Sequence, residues 1–323
     1  MQKKLYFLIF VSVCCSISFA NNLSEHPRTW LSLLQDEAPL CQLSIPGTHN
    51  SGANKGGIFM KCQDASIKEQ LEAGIRAFDI RLRVHKKALE VCHSTIGMGT
   101  FFDTSILKKC TDFLTKHPSE TILLILKCDN GDEVAYATKL SQIISTYKKW
   151  IVMNFKNKMT LANVRGKILC LHRSNIADRT SGGYIRGFQN NSKAFRGSIL
   201  FASGLATTYR CEDYYSLSKG FLSGWDRTGK INAIKTNLQQ SKTTKNTSEC
   251  WYLTFLSGTA LTAFVGPKKI AKAITPVINN WIKEKGAGSY GILFMDFATS
   301  NQTKGTVLTN TLIDSNRNWK KNI

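Results

Sequence analysis

The chain has 323 residues, and its 43 lysines and arginines outnumber 22 aspartates and glutamates to give a formal charge of +21. Such an excess calls for an anionic partner, whether nucleic acid, an anionic lipid surface or a phosphorylated substrate, and charge alone does not choose among them. No repeat, low-complexity tract or linker divides the sequence. After the amino terminus no stretch is apolar and long enough to cross a bilayer, which excludes a further membrane span.

In chain order, Lys3 and Lys4 precede an apolar run over Leu5 to Val13 and a small-x-small site at Ser18-Phe19-Ala20. That layout predicts a secretory signal peptide at residues 1–20, cleaved after Ala20, and a secreted or periplasmic protein comprising one domain over 21–323. Apolar, β-rich runs follow at Gln42–Ile45, Ala77–Leu82, Leu89–His93, Thr121–Lys127, Lys167–Leu171, Ile199–Ser203, Trp251–Leu256 and Tyr290–Phe297. Helices are expected between them, at Asp64–Ala73, Thr104–Lys116, Asp132–Trp150 and Pro267–Glu284, with Pro267 suited to a first turn. Near-continuous apolar strands separated by crossovers indicate a parallel sheet buried on both faces, and eight is the number that closes a barrel. The expected fold is therefore α/β, a (β/α)8 TIM-like barrel. The polar stretches Asn175–Phe195 and Asp226–Glu249 leave room for an irregular or incompletely closed wall.

Polar residues end most of these strands: His49 just past the first, then Arg81, His93, Lys127, Arg173 and Asp296. In barrels the carboxyl ends of the strands carry the chemistry, and two imidazoles, three cations and a carboxylate suit a phosphate diester. Any one of them could equally be an ordinary strand end at solvent. His172 reads as structural, and His26, His85 and His117 as surface positions. Outside the leader the eight cysteines Cys41, Cys62, Cys92, Cys110, Cys128, Cys170, Cys211 and Cys250 are compatible with full disulfide pairing in an exported protein. Mid-strand ones read alternatively as buried apolar residues. No C-x-x-C pair points to a structural zinc site.

Four segments carry a closer signal. Leu43-Ser-Ile-Pro-Gly-Thr-His49-Asn-Ser-Gly52 places an imidazole in a sharp turn whose entry is fixed by Pro46 and eased by Gly47 and Gly52. Gly74-Ile-Arg-Ala-Phe-Asp79-Ile-Arg81, Leu89-Glu-Val-Cys-His93 and Gly291-Ile-Leu-Phe-Met-Asp296-Phe follow in order. Together they resemble the signatures of the X-domain family of phosphatidylinositol-specific phospholipases C, of the bacterial type, from about Cys41 to Phe297.

The resemblance implies a phosphodiesterase (phosphorus-oxygen lyase) that cleaves phosphatidylinositol or its glycosylated relatives without a metal or other cofactor. Diacylglycerol and inositol 1,2-cyclic phosphate would be the products. His49 would be the general base, oriented by Asp296; His93 the general acid; and Arg81 the neutraliser of the phosphoryl oxygens. In calcium-using relatives a carboxylate stands where Arg81 does, so a fixed guanidinium here implies metal independence. The metal-independent bacterial enzymes usually carry aspartate after the first histidine, whereas this chain has Asn50. That departure leaves Asp79 as the expected support of His93, whose pKa would be lower than usual. Lys127, Arg173, Asp213 and Tyr215 resemble residues that hold the inositol, through charge, hydroxyl acceptance and ring stacking.

Lys219, Lys230, Lys235, Lys242 and Lys245, with Phe221 and Trp225, would form a basic and aromatic surface for peripheral membrane contact, or a solvated charged face. The protein is expected to act as a monomer and not to bind nucleic acid. The competing reading is a pseudoenzyme that binds inositol lipids in the same barrel, and Asn50 alone favours it.

Overall fold

The computed structural model describes residues 22–153, 158–173, 182–201, 204–221, 223–244 and 249–322. The predicted leader and Lys245 lie outside these. Among the described residues eleven strands form one sheet: β1 (Ser44–Thr48), β2 (Ala77–His85), β3 (Ala88–His93), β4 (Ile96–Phe101), β5 (Ile122–Asn130), β6 (Ile168–His172), β7 (Gly183–Arg186), β8 (Phe195–Phe201), β9 (Ala206–Glu212), β10 (Trp251–Phe255) and β11 (Gly291–Met295). The order β1-β11-β10-β9-β8-β7-β6-β5-β2 returns to β1 through a β1–β2 pairing, so nine strands close a barrel. All neighbours in the ring are parallel except those of β8, which runs against both β7 and β9.

The wall is thus closed, but by nine strands of mixed direction rather than eight parallel ones. Leu89–His93 is no stave. It belongs to a β3–β4 hairpin hung antiparallel on the far end of β2, with Leu82 facing Val91 and His85 facing Ala88. Three strands escaped the sequence reading, β4, β7 and β9, because they are short or carry alternating polar residues. Only Thr207, Tyr209 and Cys211 of β9 turn inward among its first six residues.

Apolar residues fill both faces of the wall. Ile45, Ala77, Ile125, Leu171, Leu253 and Phe294 point into the barrel. Their neighbours Phe78, Leu124, Cys170, Leu293 and Met295 point outward beneath the helices. This two-sided burial is what makes the strands read as continuous apolar runs. Helices α1 (Ile67–Glu72), α2 (Lys108–Lys116), α3 (Glu133–Thr146), α4 (Leu161–Val164), α5 (Arg227–Thr243), α6 (Pro267–Lys285) and α7 (Gly305–Asp314) complete the fold. Ser66 and Glu69 cap α1 reciprocally, Asp132 caps α3, and Pro267 opens α6, each where local chemistry predicts a start.

Helix α5 corrects the expectation of an irregular 226–249 stretch. Its buried face runs Lys230, Ala233, Ile234, Asn237, Leu238 and Ser241, so half of a helical stripe is polar. Lys230 is fully buried, donating to Glu212 at 2.8 Å and to the Phe255 carbonyl at 2.6 Å. At the amino-terminal end of the barrel, Trp30, Leu31, Leu34 and Leu40 join the interior core. There the buried Arg76 pairs with Glu120 and donates to the carbonyls of Pro27, Arg28, Leu71 and Ile75.

The cysteines do not form four disulfides. Cys62, Cys92, Cys110, Cys170 and Cys211 are buried free thiols: Cys92, Cys170 and Cys211 lie in strands, Cys110 lies in α2, and these four pack as small apolar groups.

Candidate active site

Interior residues of a strand recur every second position, and the polar residues at the mouth continue those rows. Ile45 and Gly47 lead to His49, Ala77 to Asp79 and Arg81, and Ile125 to Lys127 and Asp129. Leu171 leads likewise to Arg173, Cys211 to Asp213, Phe255 to Ser257, and Phe294 to Asp296. These side chains therefore converge over the top layer of the core. They line one cavity of about 430 Å³ together with Asn50, Cys62, His93 and Tyr215. Of the ten residues expected from sequence, only Asp79 does not line it, because it is buried directly beneath.

The turn that presents His49 is built by crowding. A Cβ on Gly47 would stand 3.0 Å from the Leu293 carbonyl oxygen and 3.1 Å from the Ala77 side chain, where β1 squeezes between β11 and β2. A Cβ on Gly52 would meet Val91 at 2.6 Å. Asn50 itself takes the left-handed backbone, with φ of 42°, which asparagine tolerates better than most residues. Its backbone N–H donates to Asp79 at 3.1 Å, and the Gln63 side chain donates to the carbonyls of both His49 and Met295 at 2.8 Å, fixing the two strand ends together.

His49 Nδ1 lies 2.8 Å from Asp296 Oδ1. The carboxylate can only accept, so Nδ1 carries the proton and Nε2 is left as the acceptor, 3.9 Å from Asp79. Arg81 donates through Nε to both oxygens of Asp79 at 3.0 Å and through Nη1 to Asp129 at 3.3 Å. Burial opposes ionisation of Asp79, but Arg81, His49 and Arg173 outweigh it and hold the carboxyl below its ordinary range. Burial likewise opposes the charge of Arg81, yet Asp79, Asp129 and Asp213 overcome that cost and raise its pKa.

His93 does not rest on Asp79. Its Nδ1 donates to the Met60 carbonyl at 2.8 Å, and Asp79 is committed to Arg81 and the Asn50 amide. Nor does the Asn50 side chain orient it: the Asn50 amide nitrogen faces Cys62 Sγ at 3.9 Å, and that sulfur lies 4.0 Å from His93 Nδ1. A thiol therefore sits between the two. The sequence reading of His93 support is corrected, because a backbone carbonyl, invisible in a residue pattern, takes the place. Burial, with the nearby charges of His49 and Arg81, lowers the His93 pKa despite the Met60 hydrogen bond.

Lys127 stands beside Arg81 in register and donates to Asp129 at 2.7 Å. Asp129 was not singled out from sequence, although its i,i+2 spacing from Lys127 on one strand places both on the interior face. Arg173 lies over Phe188, 3.5 Å from the ring centroid, and its buried Nη1, 4.0 Å from Asp79 Oδ1, has no hydrogen-bond partner among the described residues. Burial lowers its pKa, as does its neighbour Arg81. Asp213 is buried and its pKa is raised, burial outweighing Arg173 and Arg81. Tyr215 is 40% exposed on the rim, so it is at once a loop residue and part of the cavity wall.

The predicted basic and aromatic surface forms only in part: Lys219 is exposed and Phe221 is 75% exposed, whereas two of its lysines are engaged elsewhere and Lys245 lies outside the described residues. Lys230 is buried against Glu212, and Lys242 donates to the carbonyls of Lys285, Gly286 and Ala287 beyond the end of α6. Further apolar residues stand exposed on the rim: Ile58, Leu261 and Phe264 are 71%, 59% and 66% exposed. Leu261 borders the main cavity, and Ile58 and Phe264 share an adjoining groove with Lys61, Lys268 and Lys269. Among the described residues no helix is long and apolar enough to cross a membrane.

Fold and site together define a closed α/β barrel whose mouth gathers two imidazoles, two arginines and a lysine around buried carboxylates, a setting suited to an anionic phosphate ester. Residues 37–174 match the family profile of the phosphatidylinositol-specific phospholipase C X domain. The chain as a whole is similar to bacterial proteins of this kind. It is similar to the 1-phosphatidylinositol phosphodiesterase of Listeria monocytogenes, at 29% identity over 88% of this chain and 85% of the relative. It is also similar to the Staphylococcus aureus (strain Newman) protein of that name, at 26% identity over 92% of this chain and 97% of the relative. Solved phosphatidylinositol-specific phospholipases C superpose on it. One from S. aureus does so with a TM-score of 0.79 at 25% identity, covering 92% of this chain and 99% of that one. The one from L. monocytogenes gives 0.71 at 25% identity, covering 90% and 99%.

Proposed function

We propose that the protein is a phosphatidylinositol-specific phospholipase C that cleaves phosphatidylinositol, or a glycosylated form of it, at the glycerol–phosphate bond without a metal. The observation that carries this reading is the His49–Asp296 hydrogen bond, which leaves Nε2 of His49 as a proton acceptor beside the Asp79–Arg81 pair. In the proposed reaction His49 Nε2 takes the proton of the inositol 2-hydroxyl as that oxygen attacks phosphorus. The bond from phosphorus to the glycerol oxygen breaks, and that oxygen takes a proton from His93. Diacylglycerol leaves, and inositol 1,2-cyclic phosphate remains for water to open. Arg81 neutralises the charge growing on the phosphoryl oxygens, preorganised by Asp79 and Asp129. Its guanidinium already bridges the two carboxylates that would otherwise attract a hard cation, which supports metal independence.

Inositol would be held by Lys127, Arg173 and Asp213, with Tyr215 on its ring face. Asp213 and Arg173 Nη1, which has no hydrogen-bond partner among the described residues, would supply a buried acceptor and donor for vicinal hydroxyls. The exposed Ile58, Leu261 and Phe264 would enter the lipid surface while the flanking lysines meet its anionic headgroups. Membrane binding is the subject of one of the similar S. aureus structures. We further propose that the protein is exported, on the strength of the leader-like residues 1–20. The test is release of diacylglycerol from phosphatidylinositol vesicles in the presence of a chelator. Turnover abolished by His49→Ala supports the reading, and absence of turnover in the unaltered protein refutes it.

A further inference from the structure

Cys62 has no part in that mechanism, yet it lies in its midst. It is fully buried, and ligand atoms of Cys62, His49 and Asp296 all lie within 4.8 Å of one another. Its sulfur is also 4.0 Å from Nδ1 of His93. Asp296 uses Oδ1 on His49, while its buried Oδ2 has no hydrogen-bond partner among the described residues. A thiol, an imidazole and a carboxylate with an oxygen to spare are a borderline-soft donor set, of the kind that takes Zn²⁺ in preference to Ca²⁺ or Mg²⁺. Zinc bonds of roughly 2.0–2.3 Å require such donors to close in by no more than about 1 Å.

We propose that His49, Cys62 and Asp296 form an inhibitory site for a thiophilic divalent cation, Zn²⁺ or its like, which switches the barrel off. Asp296, one of the three donors, meets His49 at Nδ1, whereas Asp79 with its partner Arg81 faces Nε2, so the cation is assigned to Nδ1, away from the guanidinium. Capture of Nδ1 by the cation confines the remaining ring proton to Nε2. That nitrogen then has no lone pair for the substrate hydroxyl, and the base is lost. Binding converts the Cys62 thiol to a thiolate, releasing one proton to solvent. The inhibition depends on the proposed role of His49, but the binding does not.

Two measurements on the purified full-length protein keep these apart. Titration with Co²⁺ is expected to produce a thiolate-to-cobalt charge-transfer band that is absent from Cys62→Ser and from Cys62→Ala. Vesicle hydrolysis is expected to fall with micromolar buffered Zn²⁺, recover on chelation, and ignore Ca²⁺ and Mg²⁺. Relative to each protein's own zinc-free rate, Cys62→Ser should raise the inhibitory concentration by at least about tenfold. A missing band, or a band that survives in both variants, overturns the site. A proper band with zinc-insensitive turnover overturns the inhibition, and a proper band in a protein without any turnover leaves the metal site standing while the phospholipase reading fails.

Discussion

His49 and Asp296 are 247 residues apart in the chain and share a hydrogen bond of 2.8 Å across the mouth of the barrel. The pairing exists because β1 and β11 are parallel neighbours in register, Thr48 beside Met295, so the next residue of each strand emerges at the same level. Asp296→Asn should therefore disturb the tautomer and leave the fold intact. We expect turnover on phosphatidylinositol vesicles to drop by roughly 10³–10⁴-fold, the scale seen when the carboxylate of a catalytic triad is amidated. A loss of less than about tenfold, with unchanged thermal stability, would contradict the role given to Nε2.

The lowered pKa of His93 has a signed consequence. As a general acid it works protonated, so kcat/KM should decline as pH rises through a value below the ordinary 6.5 of histidine. Asn50→Asp would add a negative charge on the far side of Cys62 and favour the imidazolium, moving that limb to higher pH by up to roughly one unit. A pH–rate profile that stays in place, or shifts downward, sinks the assignment of this limb to His93.

Phe264 and Ile58 are exposed beside the groove, whereas Lys230 is buried. Phe264→Ser combined with Ile58→Ser should weaken sedimentation with anionic vesicles several-fold and slow hydrolysis of vesicle lipid. Turnover of a monomeric short-chain phosphatidylinositol should hardly change. Equal losses on both substrates would argue against a lipid-contacting rim.

Lys230→Met should leave vesicle affinity alone and damage stability. It strands Glu212, already pushed up to about 7 by burial, without the ammonium that meets it. Breaking such a pair costs about 3–5 kcal/mol, to be read as a lower urea midpoint at unchanged slope. The pH dependence is set by Glu212: its folded pKa exceeds the unfolded value, so this group's contribution favours the fold at low pH. That contribution declines as pH rises from about 4.5 toward about 7. Lys230→Met should steepen the decline, whereas Glu212→Gln should flatten it.

Much of the site was legible because a strand is a period-two object. Rows of interior apolar residues, continued two positions further, land on Arg81, Lys127, Arg173 and Asp296, and the same arithmetic would have found Asp129. The support of His93 was not legible, since a backbone carbonyl from Met60 has no signature in side-chain types. Helix α5 was hidden for a related reason. Lys230 and Asn237 occupy its buried face, and what satisfies them, Glu212 and the strand residues Leu253 and Thr254, is remote in sequence.

Sequence by itself determined the alternation of buried strands and helices, the turn chemistry around His49 and the identity of the charged groups at the strand ends. Those follow from local rules of periodicity, capping and backbone freedom, which need only neighbours along the chain. Only the tertiary structure decided that nine strands close the wall, that β3 overhangs the mouth, that Lys230 is internal and that a thiol lies between Asn50 and His93. Each of these depends on which distant segment arrives alongside, a matter settled by closure and packing of the whole barrel.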